Sequence, residues 1–199
     1  GTSLGAALYT KNILLNNNTN NQFNNAYLGL DYDDDEIEKI LLENKIKYYK
    51  CNDIHKEIGK FLYEGKIITR FFGRSEFGPR ALGHRSILAN PTIPNMKEII
   101  NKKIKHREPF RPFAPACLEE EVKKYFDINV NAPYMILICE ALEKTKDIAP
   151  AIVHDDNTTR IQSVSKKYNK DFYKIINEFF LLSGVPIVIN TSFNVNGEG

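Results

Sequence analysis

A glycine-rich segment with three arginines has the residue types of an anion-binding loop. GRSEFGPRALGHRSILAN, Gly73–Asn90, carries Arg74, Arg80 and Arg85 at spacings of six and five residues. Glycines let backbone N–H groups approach an anion closely, and arginines add charge-assisted donors. The pattern is neither G-x-G-x-x-G nor a Walker A loop, because no G-K-[ST] follows. The alternative is a surface loop whose arginines pair with Glu76 and other carboxylates.

A second basic segment is stiffened by prolines and phenylalanines. KIKHREPFRPFAP, Lys103–Pro115, contains Lys105, Arg107 and Arg111. A rigid, aromatic-braced basic segment positions a phosphate at a reduced entropic cost. The alternative is a structural salt-bridge network, for which Glu108 is the natural partner.

Arginine is concentrated in these two segments although lysine dominates the chain. The sequence has 20 lysines and 7 arginines, and five of the seven arginines lie between Arg74 and Arg111. A solvated face is served equally well by lysine, whereas the planar guanidinium holds a phosphate or carboxylate through two parallel hydrogen bonds. The clustering therefore favours a binding role.

A third segment, HDDNTTRIQSV or His154–Val164, places Arg160 near the start of a predicted strand. His154, Asp155 and Asp156 are metal-ligand types, but they lack the helical or finger spacing of known metal sites. The sequence therefore favours a polar hairpin turn before the strand.

A fourth segment, GVPIVINTSFNVNGEG, is an apolar strand that ends in Asn190, Thr191 and Ser192. In open α/β sheets, ligands bind beyond the carboxyl ends of strands. Two hydroxyls and an amide at that place can hold a carbonyl, amide or phosphate oxygen. The alternative is an Asx or ST turn that closes the strand.

The elements that must position these residues alternate between helices and apolar strands. A capped helix is predicted from Asp33–Asp35 and another from Asn52 or Asp53 to Gly65. The remaining predicted helices are Pro94–Ile104, Glu119–Phe126 and Asp171–Leu182, and the predicted strands are Ile67–Phe72, Tyr134–Ala141, Ile161–Val164 and Val185–Ile189. This order predicts an α/β fold with a twisted, mostly mixed open sheet flanked by helices.

Composition excludes several classes of protein. The chain has 199 residues and 22.8 kDa, with 42% hydrophobic and 11% aromatic residues, which excludes wholesale disorder. No apolar run reaches the roughly 20 residues of a membrane span, and no secretory signal is visible. The three cysteines are scattered, which predicts reduced thiols and a cytoplasmic location. A net charge of +2 gives no case for bulk nucleic-acid binding.

Together the four segments resemble a known family. GRSEFGPRALGHRSI, REPFRPFAP, PYM, HDDNTTRIQSVS and GVPIVINTSFN stand in the order found in the C-terminal YrdC-like domain of carbamoyltransferases of the nodulation and antibiotic-tailoring type. The resemblance runs from about Ile67 to the end, and GTSLGAALY is similar to the tail of the family's preceding actin-like domain. It implies that residues 1–26 are this tail with an asparagine-rich linker. Residues 27–199 would then form the YrdC-like domain, incomplete at its last edge.

The resemblance implies two coupled reactions. The YrdC-like domain makes carbamoyl adenylate from carbamoyl phosphate and ATP with Mg²⁺, and the actin-like domain, with a metal such as Fe²⁺, passes the carbamoyl group to an acceptor hydroxyl. The residues matched to carbamoyl phosphate are Lys105, Arg111, Arg160, Asn190 and Ser192, the first three being the catalytic candidates. The residues matched to the ATP phosphates are Arg74, Arg80, Arg85 and Thr191. The expected partners are these substrates, a small-molecule acceptor and the remainder of the polypeptide.

Two other functions stay open beside this one. YrdC-like folds also occur in tRNA modification, so an RNA-binding module is one alternative, against which the low net charge and the proline-braced phenylalanines argue. A non-catalytic module that binds ATP or an acyl phosphate is the other. The chain departs from the family at Asn157, where glycine is usual, and at Gly199, where proline is usual. Asparagine tolerates a left-handed backbone, so the turn at Asn157 is expected to persist.

Overall fold

The structure is a computed structural model that describes residues 1–17 and 25–194. Most of the asparagine-rich tract and the departure at Gly199 lie outside the described residues. The helices are α1 (Thr2–Tyr9), α2 (Asp34–Glu43), α3 (Ile54–Tyr63), α4 (Met96–Ile100), α5 (Val122–Tyr125), α6 (Glu143–Ile148) and α7 (Lys170–Ser183). The strands are β1 (Ile68–Phe71), β2 (Arg85–Ala89), β3 (Ala114–Leu118), β4 (Phe126–Asp127), β5 (Leu137–Ala141), β6 (Thr158–Val164) and β7 (Ile187–Ser192). Single π-helical turns extend α1 over Thr10–Leu14 and α4 over Asn101–Lys105, and 3₁₀ turns span Glu119–Glu121 and Pro150–Ile152.

Helix boundaries follow the capping residues that the sequence indicates. Asp33 caps α2 by accepting from the N–H of Glu36, whose carboxylate accepts from the N–H of Asp33 in return. Asp53 caps α3, as predicted. Gly65 after α3 and Gly184 after α7 have φ values of 81° and 73°, the left-handed conformation that ends a helix.

Seven strands form one open sheet in the order β1-β2-β7-β3-β6-β5-β4. β3 and β6 are parallel, and the other neighbouring pairs of described strands are antiparallel. The predicted α/β class with a mixed sheet is therefore confirmed, with antiparallel pairs dominating. β7 comes last along the described chain but lies third across the sheet, between β2 and β3.

The main core joins the central strands to α3 and α7, which pack against each other. Leu62 of α3, Phe172 and Phe179 of α7, and Ile187 and Ile189 of β7 are almost completely buried. Burial of this apolar surface is the dominant stabilisation of the sheet.

Several sequence predictions need correction. Pro94 lies before the N-cap of α4 rather than inside its first turn, and the predicted helix Glu119–Phe126 is a 3₁₀ turn followed by α5 and the start of β4. The strand predicted from Tyr134 begins at Leu137, because Met135 has a left-handed φ of 53° that a strand does not accommodate. Of the bracing phenylalanines, Phe113 is 2% exposed but Phe110 is 68% exposed.

Cys51, Cys117 and Cys139 are free thiols, and the last two are buried, as predicted. Burial raises the pKa of the Cys139 thiol to about 11. Within the described residues, none of the helices combines the length and the apolar composition needed to cross a bilayer.

Candidate anion-binding site

The polar ends of four strands meet at one edge of the sheet. β7 ends there, and β2, β3 and β6 begin there, because β7 is antiparallel to both of its neighbours while β3 and β6 are parallel. In this register Ser192 lies opposite Ser86, and Asn190 lies opposite Ala114. The third and fourth sequence segments, which form β6 and β7, are thereby brought to the same edge on either side of β3.

A cavity of about 130 Å³ lies at this edge. Its lining includes polar side chains from the loop before β2, from the segment before β3, and from β6 and β7: Arg80, Arg107, Arg160, Asn190, Thr191 and Ser192. The structure thus brings together three residues that the resemblance matches to carbamoyl phosphate and two that it matches to ATP.

Several buried polar atoms in this cavity have no hydrogen-bond partner. These atoms are Arg80 Nε, Arg160 Nε and Asn190 Oδ1, and within the described residues the one other such atom is in Asn12. Buried polar groups are nearly always satisfied in folded proteins, by protein atoms, water, an ion or a ligand. Two donors and one acceptor are therefore available to a ligand at the same place.

The cavity also holds uncompensated positive charge. Burial lowers the pKa of Arg160, and the positive charge of Arg80 lowers it further. Among the described residues Arg70 and Arg111 form ion pairs with carboxylates, whereas Arg80, Arg107 and Arg160 have no carboxylate within 4.0 Å. Guanidinium groups held together without acidic partners have the electrostatics of an anion site.

A hydrogen-bonded pair of amides fixes Asn190. Its Nδ2 donates to Gln162 Oε1 at 2.8 Å and to the carbonyl of Ala81 at 3.0 Å. β3 lies between β6 and β7, so the two amides meet across that strand, where Ala114 and Ala116 leave room above the backbone. The Nδ2 contacts fix the amide while Oδ1 is left without a partner. Gln162 is not among the predicted site residues, although its spacing of two from Arg160 places both on one face of β6.

Lys105 lies beside the cavity and holds the segment that follows β7. Its Nζ donates to the carbonyls of Ser192 and Asn194 at 2.5 and 2.7 Å and to Asn194 Oδ1 at 2.9 Å. The side chain is 4% exposed. In this structure Lys105 therefore positions Ser192, and its predicted contact with carbamoyl phosphate stays a prediction.

Arg107, rather than Arg111, lines the cavity. Arg107 is half-buried, donates from Nε to Asn101 Oδ1 at 2.7 Å and lies over the Phe113 ring. Arg111 is exposed, and its Nε lies 3.2 Å from a carboxylate oxygen of Glu108. This contact is the structural salt bridge that the sequence analysis gives as the alternative to phosphate binding. The predicted role of Arg111 stays a prediction, and the same basic segment supplies a second arginine that the site prediction left out.

The two other predicted arginines lie outside this cavity. Arg85 lines an adjoining cleft of about 240 Å³ that shares Arg80 and Ser192 with it, and its guanidinium donates to the carbonyls of Phe72 and Gly73. Arg74 is exposed and lies outside the lining of both spaces. Arg85 is thus near the site, while Arg74 is not brought to it.

Glu76 binds the backbone of the loop. The sequence alone makes it a possible ion-pair partner of the loop arginines. Its carboxylate accepts from the N–H groups of Leu82, His84 and Arg85 at 2.6, 2.9 and 3.2 Å. It forms no ion pair within 4.0 Å with any described arginine. Burial lowers the pKa of Arg85 and the charge of Glu76 opposes that shift, so Glu76 acts on this arginine at longer range rather than through an ion pair.

The hairpin at His154 is a turn, as predicted. Asp156 accepts from the N–H and the hydroxyl of Thr158 at 3.0 and 2.7 Å, and Asn157 has a left-handed φ of 65°. No cluster of three or more potential metal ligands occurs in the described residues. The hairpin thus serves to start β6 and to place Arg160.

A family model described as the carbamoyltransferase C-terminus matches residues 59–199. A nodulation protein NolNO of Sinorhizobium fredii is 38% identical over the whole chain, and an uncharacterized protein of Methanocaldococcus jannaschii is 42% identical over the whole chain. The chain spans 30% and 39% of the lengths of these two relatives.

A solved structure shares the fold. The structure of full-length HypF in a phosphate- and nucleotide-bound form aligns with a TM-score of 0.53 and 22% identity, over 75% of this chain and 18% of HypF. This similarity bears on the fold alone. The family model and the relatives together establish that the chain belongs to the carbamoyltransferase family and corresponds to its C-terminal part.

Proposed function

We propose that this chain binds carbamoyl phosphate and ATP and forms carbamoyl adenylate, which the rest of a longer carbamoyltransferase passes to an acceptor hydroxyl. The observation that carries the proposal is the unpartnered set in the cavity, namely the Nε–H groups of Arg80 and Arg160 and the Oδ1 of Asn190. Family membership supports a carbamoyl group as the cargo.

The unpartnered atoms match carbamoyl phosphate group by group. The guanidinium groups of Arg80 and Arg160 suit phosphate oxygens, which accept charge-assisted hydrogen bonds. The Oδ1 of Asn190 is an acceptor, so it suits the amino group of the carbamoyl moiety and repels an oxygen there. A cavity of about 130 Å³ can hold a small anion.

The adjoining cleft is the proposed place of the nucleotide phosphates. It holds about 240 Å³, contains Arg85, and shares Arg80 and Ser192 with the smaller cavity. Shared side chains bring the two anions into contact, and the cations offset the repulsion between them. Mg²⁺ is proposed to arrive on the ATP phosphates, which are its usual ligands in such sites.

The proposed chemistry needs no nucleophile from the protein. Water hydrolyses carbamoyl phosphate to carbamate and phosphate, and a carbamate oxygen then attacks the α-phosphorus of ATP, so that pyrophosphate leaves and carbamoyl adenylate forms. Arg80, Arg107 and Arg160 hold and neutralise the reacting groups, as phosphoryl-type transfer requires.

Pyrophosphate release and calorimetry test the proposal on the 199-residue chain. With ATP, Mg²⁺ and carbamoyl phosphate, we expect pyrophosphate release that Arg160→Ala abolishes and the control Lys124→Ala leaves unchanged, since Lys124 is exposed and pairs with Glu121. Acetyl phosphate, which has a methyl group in place of the amino group, should bind about tenfold more weakly, because Asn190 Oδ1 is then left without a donor.

The alternatives give different results in the same assays. Binding of ATP and carbamoyl phosphate without pyrophosphate would indicate a regulatory module and refute the reaction. Tight binding of single-stranded RNA at moderate salt, with neither small ligand bound, would indicate an RNA-binding module.

A further inference from the structure

We infer that Glu76 is a positioning residue whose carboxylate closes the loop between Glu76 and Arg85 and so places Arg80 in the anion cavity. The inference deepens the proposed function and rests on it, because it assigns the loop to the binding of an anion. Glu76 does not line the cavity of about 130 Å³, but it lines the adjoining cleft of about 240 Å³.

The carboxylate of Glu76 joins the two ends of the loop. Oε1 accepts from the N–H of Leu82 at 2.6 Å and from the N–H of His84 at 2.9 Å, and Oε2 accepts from the N–H of Arg85 at 3.2 Å. Hydrogen bonds to an ionised acceptor are about twice as strong as neutral ones. The carboxylate therefore holds three backbone N–H groups, two of the loop and one of the first residue of β2.

The carbonyls of the same loop are fixed from the other side. The carbonyl of Ala81 accepts from Asn190 at 3.0 Å, and the carbonyl of Leu82 accepts from the Tyr27 hydroxyl and the Gln162 amide, both at 3.0 Å. Arg80 directly precedes these anchored residues. Its backbone is thus held between the Glu76 contacts and the amides of β6 and β7.

The contacts of Glu76 with the loop backbone oppose the repulsion between Arg80 and Arg160, which would otherwise move the loop. Arg80 and Arg160 are like charges near enough for Arg80 to lower the pKa of Arg160, and no carboxylate lies within 4.0 Å of either in the described structure. Without a ligand, a free loop would carry Arg80 away into water. Holding it in place beforehand removes part of the ordering cost of binding.

Removal of the Glu76 carboxylate changes the affinity for phosphate in opposite directions for the two possible roles, positioning of Arg80 and simple charge repulsion. A carboxylate near an anion site weakens binding by repulsion, so its removal should strengthen the binding of phosphate if charge alone matters. If Glu76 positions Arg80, the same removal weakens binding, because the N–H groups lose their acceptors and the loop relaxes.

Calorimetry of inorganic phosphate and of carbamoyl phosphate provides the test. Glu76→Gln keeps one oxygen but replaces the other with an NH₂ group that faces the N–H of Arg85, and it should weaken binding about tenfold. Glu76→Asp keeps the charge but is too short to reach all three N–H groups, and it should weaken binding similarly. Glu143→Gln, which removes an exposed carboxylate elsewhere, is the control and should have no effect.

A double-mutant cycle separates this role from a general loss of structure. In the Arg80→Ala background, Glu76→Gln should weaken binding less than about twofold, because the residue through which it acts is gone. If the Arg80→Ala variant binds too weakly to measure, Arg80→Lys replaces it as the background of the cycle. In that background Glu76→Gln should weaken binding by an intermediate factor. Hydrogen exchange should show faster exchange at the amides of Leu82, His84 and Arg85 in the Glu76→Gln variant.

The outcomes distinguish the two proposals. Equal weakening by Glu76→Gln in both backgrounds, or tighter binding of phosphate, would overturn the positioning role while leaving the proposed function intact. If the unmodified chain binds neither phosphate nor carbamoyl phosphate, the proposed function fails and the positioning role fails with it, whatever the exchange data show about the loop.

Discussion

Replacing Arg160 by methionine should stabilise the free protein and weaken its binding of anions. The Nε of Arg160 is buried without a hydrogen-bond partner, and the positive charge of Arg80 acts on the same guanidinium. Methionine fills a similar volume without charge or donors, so the variant removes an unsatisfied group and a repulsion at once.

The expected magnitudes follow from these two observations. A buried unsatisfied donor costs about 1–3 kcal/mol, and because the Arg160 side chain is only half-buried we expect a gain of about 1 kcal/mol in unfolding free energy. For a chain of this size that raises Tm by about 2–4 °C. Loss of the charge-assisted bonds, about 1.5–3 kcal/mol, should weaken phosphate and carbamoyl phosphate binding roughly 10- to 150-fold.

Thermal unfolding with and without phosphate measures both effects in one experiment. Without phosphate the Arg160→Met variant should unfold at the higher temperature. At a phosphate concentration of about a hundred times the Kd of the unmodified chain, that chain gains about 2.7 kcal/mol and the order reverses. Lys124→Met, at an exposed position, is the control and should follow the unmodified chain under both conditions.

A different pattern would refute the reasoning. A variant that is less stable without phosphate would mean that Arg160 is satisfied in the free protein. A variant that is stabilised by phosphate as much as the unmodified chain would mean that Arg160 does not bind the anion.

The remaining predictions concern the second basic segment, the pH dependence and the loop. Arg107→Ala should weaken carbamoyl phosphate binding about tenfold and Arg111→Ala less than about twofold by calorimetry, and the reverse order would restore the contact to Arg111. Burial lowers the pKa of His84, so its proton binds more tightly to the unfolded chain, and stability to urea should fall as the pH drops below about 6.5. His84→Gln should flatten that fall, and an unchanged slope would exclude this histidine as its cause. Gly83→Ala should cost more than about 2 kcal/mol in urea unfolding, because φ is +109° and the new Cβ would lie 2.4 Å from a buried ring, whereas Gly5→Ala, with open space around it, should change stability by less than about 1 kcal/mol.

The sequence predicted the elements best where a local signal decides them. Asp33 and Asp53 cap helices, Gly184 ends α7, and Asn157 adopts the left-handed turn, because each of these depends on a local hydrogen bond or on the residue's own backbone preference. The start of β5 differs from the prediction, since Met135 has a left-handed φ and packs with Ala26, Leu82 and Ala114, which are distant in sequence.

The site was predicted in its residue types more than in its arrangement. Arg160, Asn190 and Ser192 meet because of the sheet register, which hydrophobic pattern and strand order imply only in part. The spacing of arginines in the basic segment does not indicate that Arg107, and not Arg111, lines the cavity. The backbone contacts of Glu76 depend on the conformation of the loop, which the spacing of residues in the sequence does not predict.

The position of β7 has a consequence for synthesis on the ribosome. The latest strand of the described chain is inserted third across the sheet, between β2 and β3, and it carries Asn190 and Ser192 into the cavity. A nascent chain that has not yet released β7 from the exit tunnel lacks the middle of its sheet as well as part of its anion cavity. The centre of the sheet and this cavity can therefore be completed only after translation has passed Ile187–Ser192.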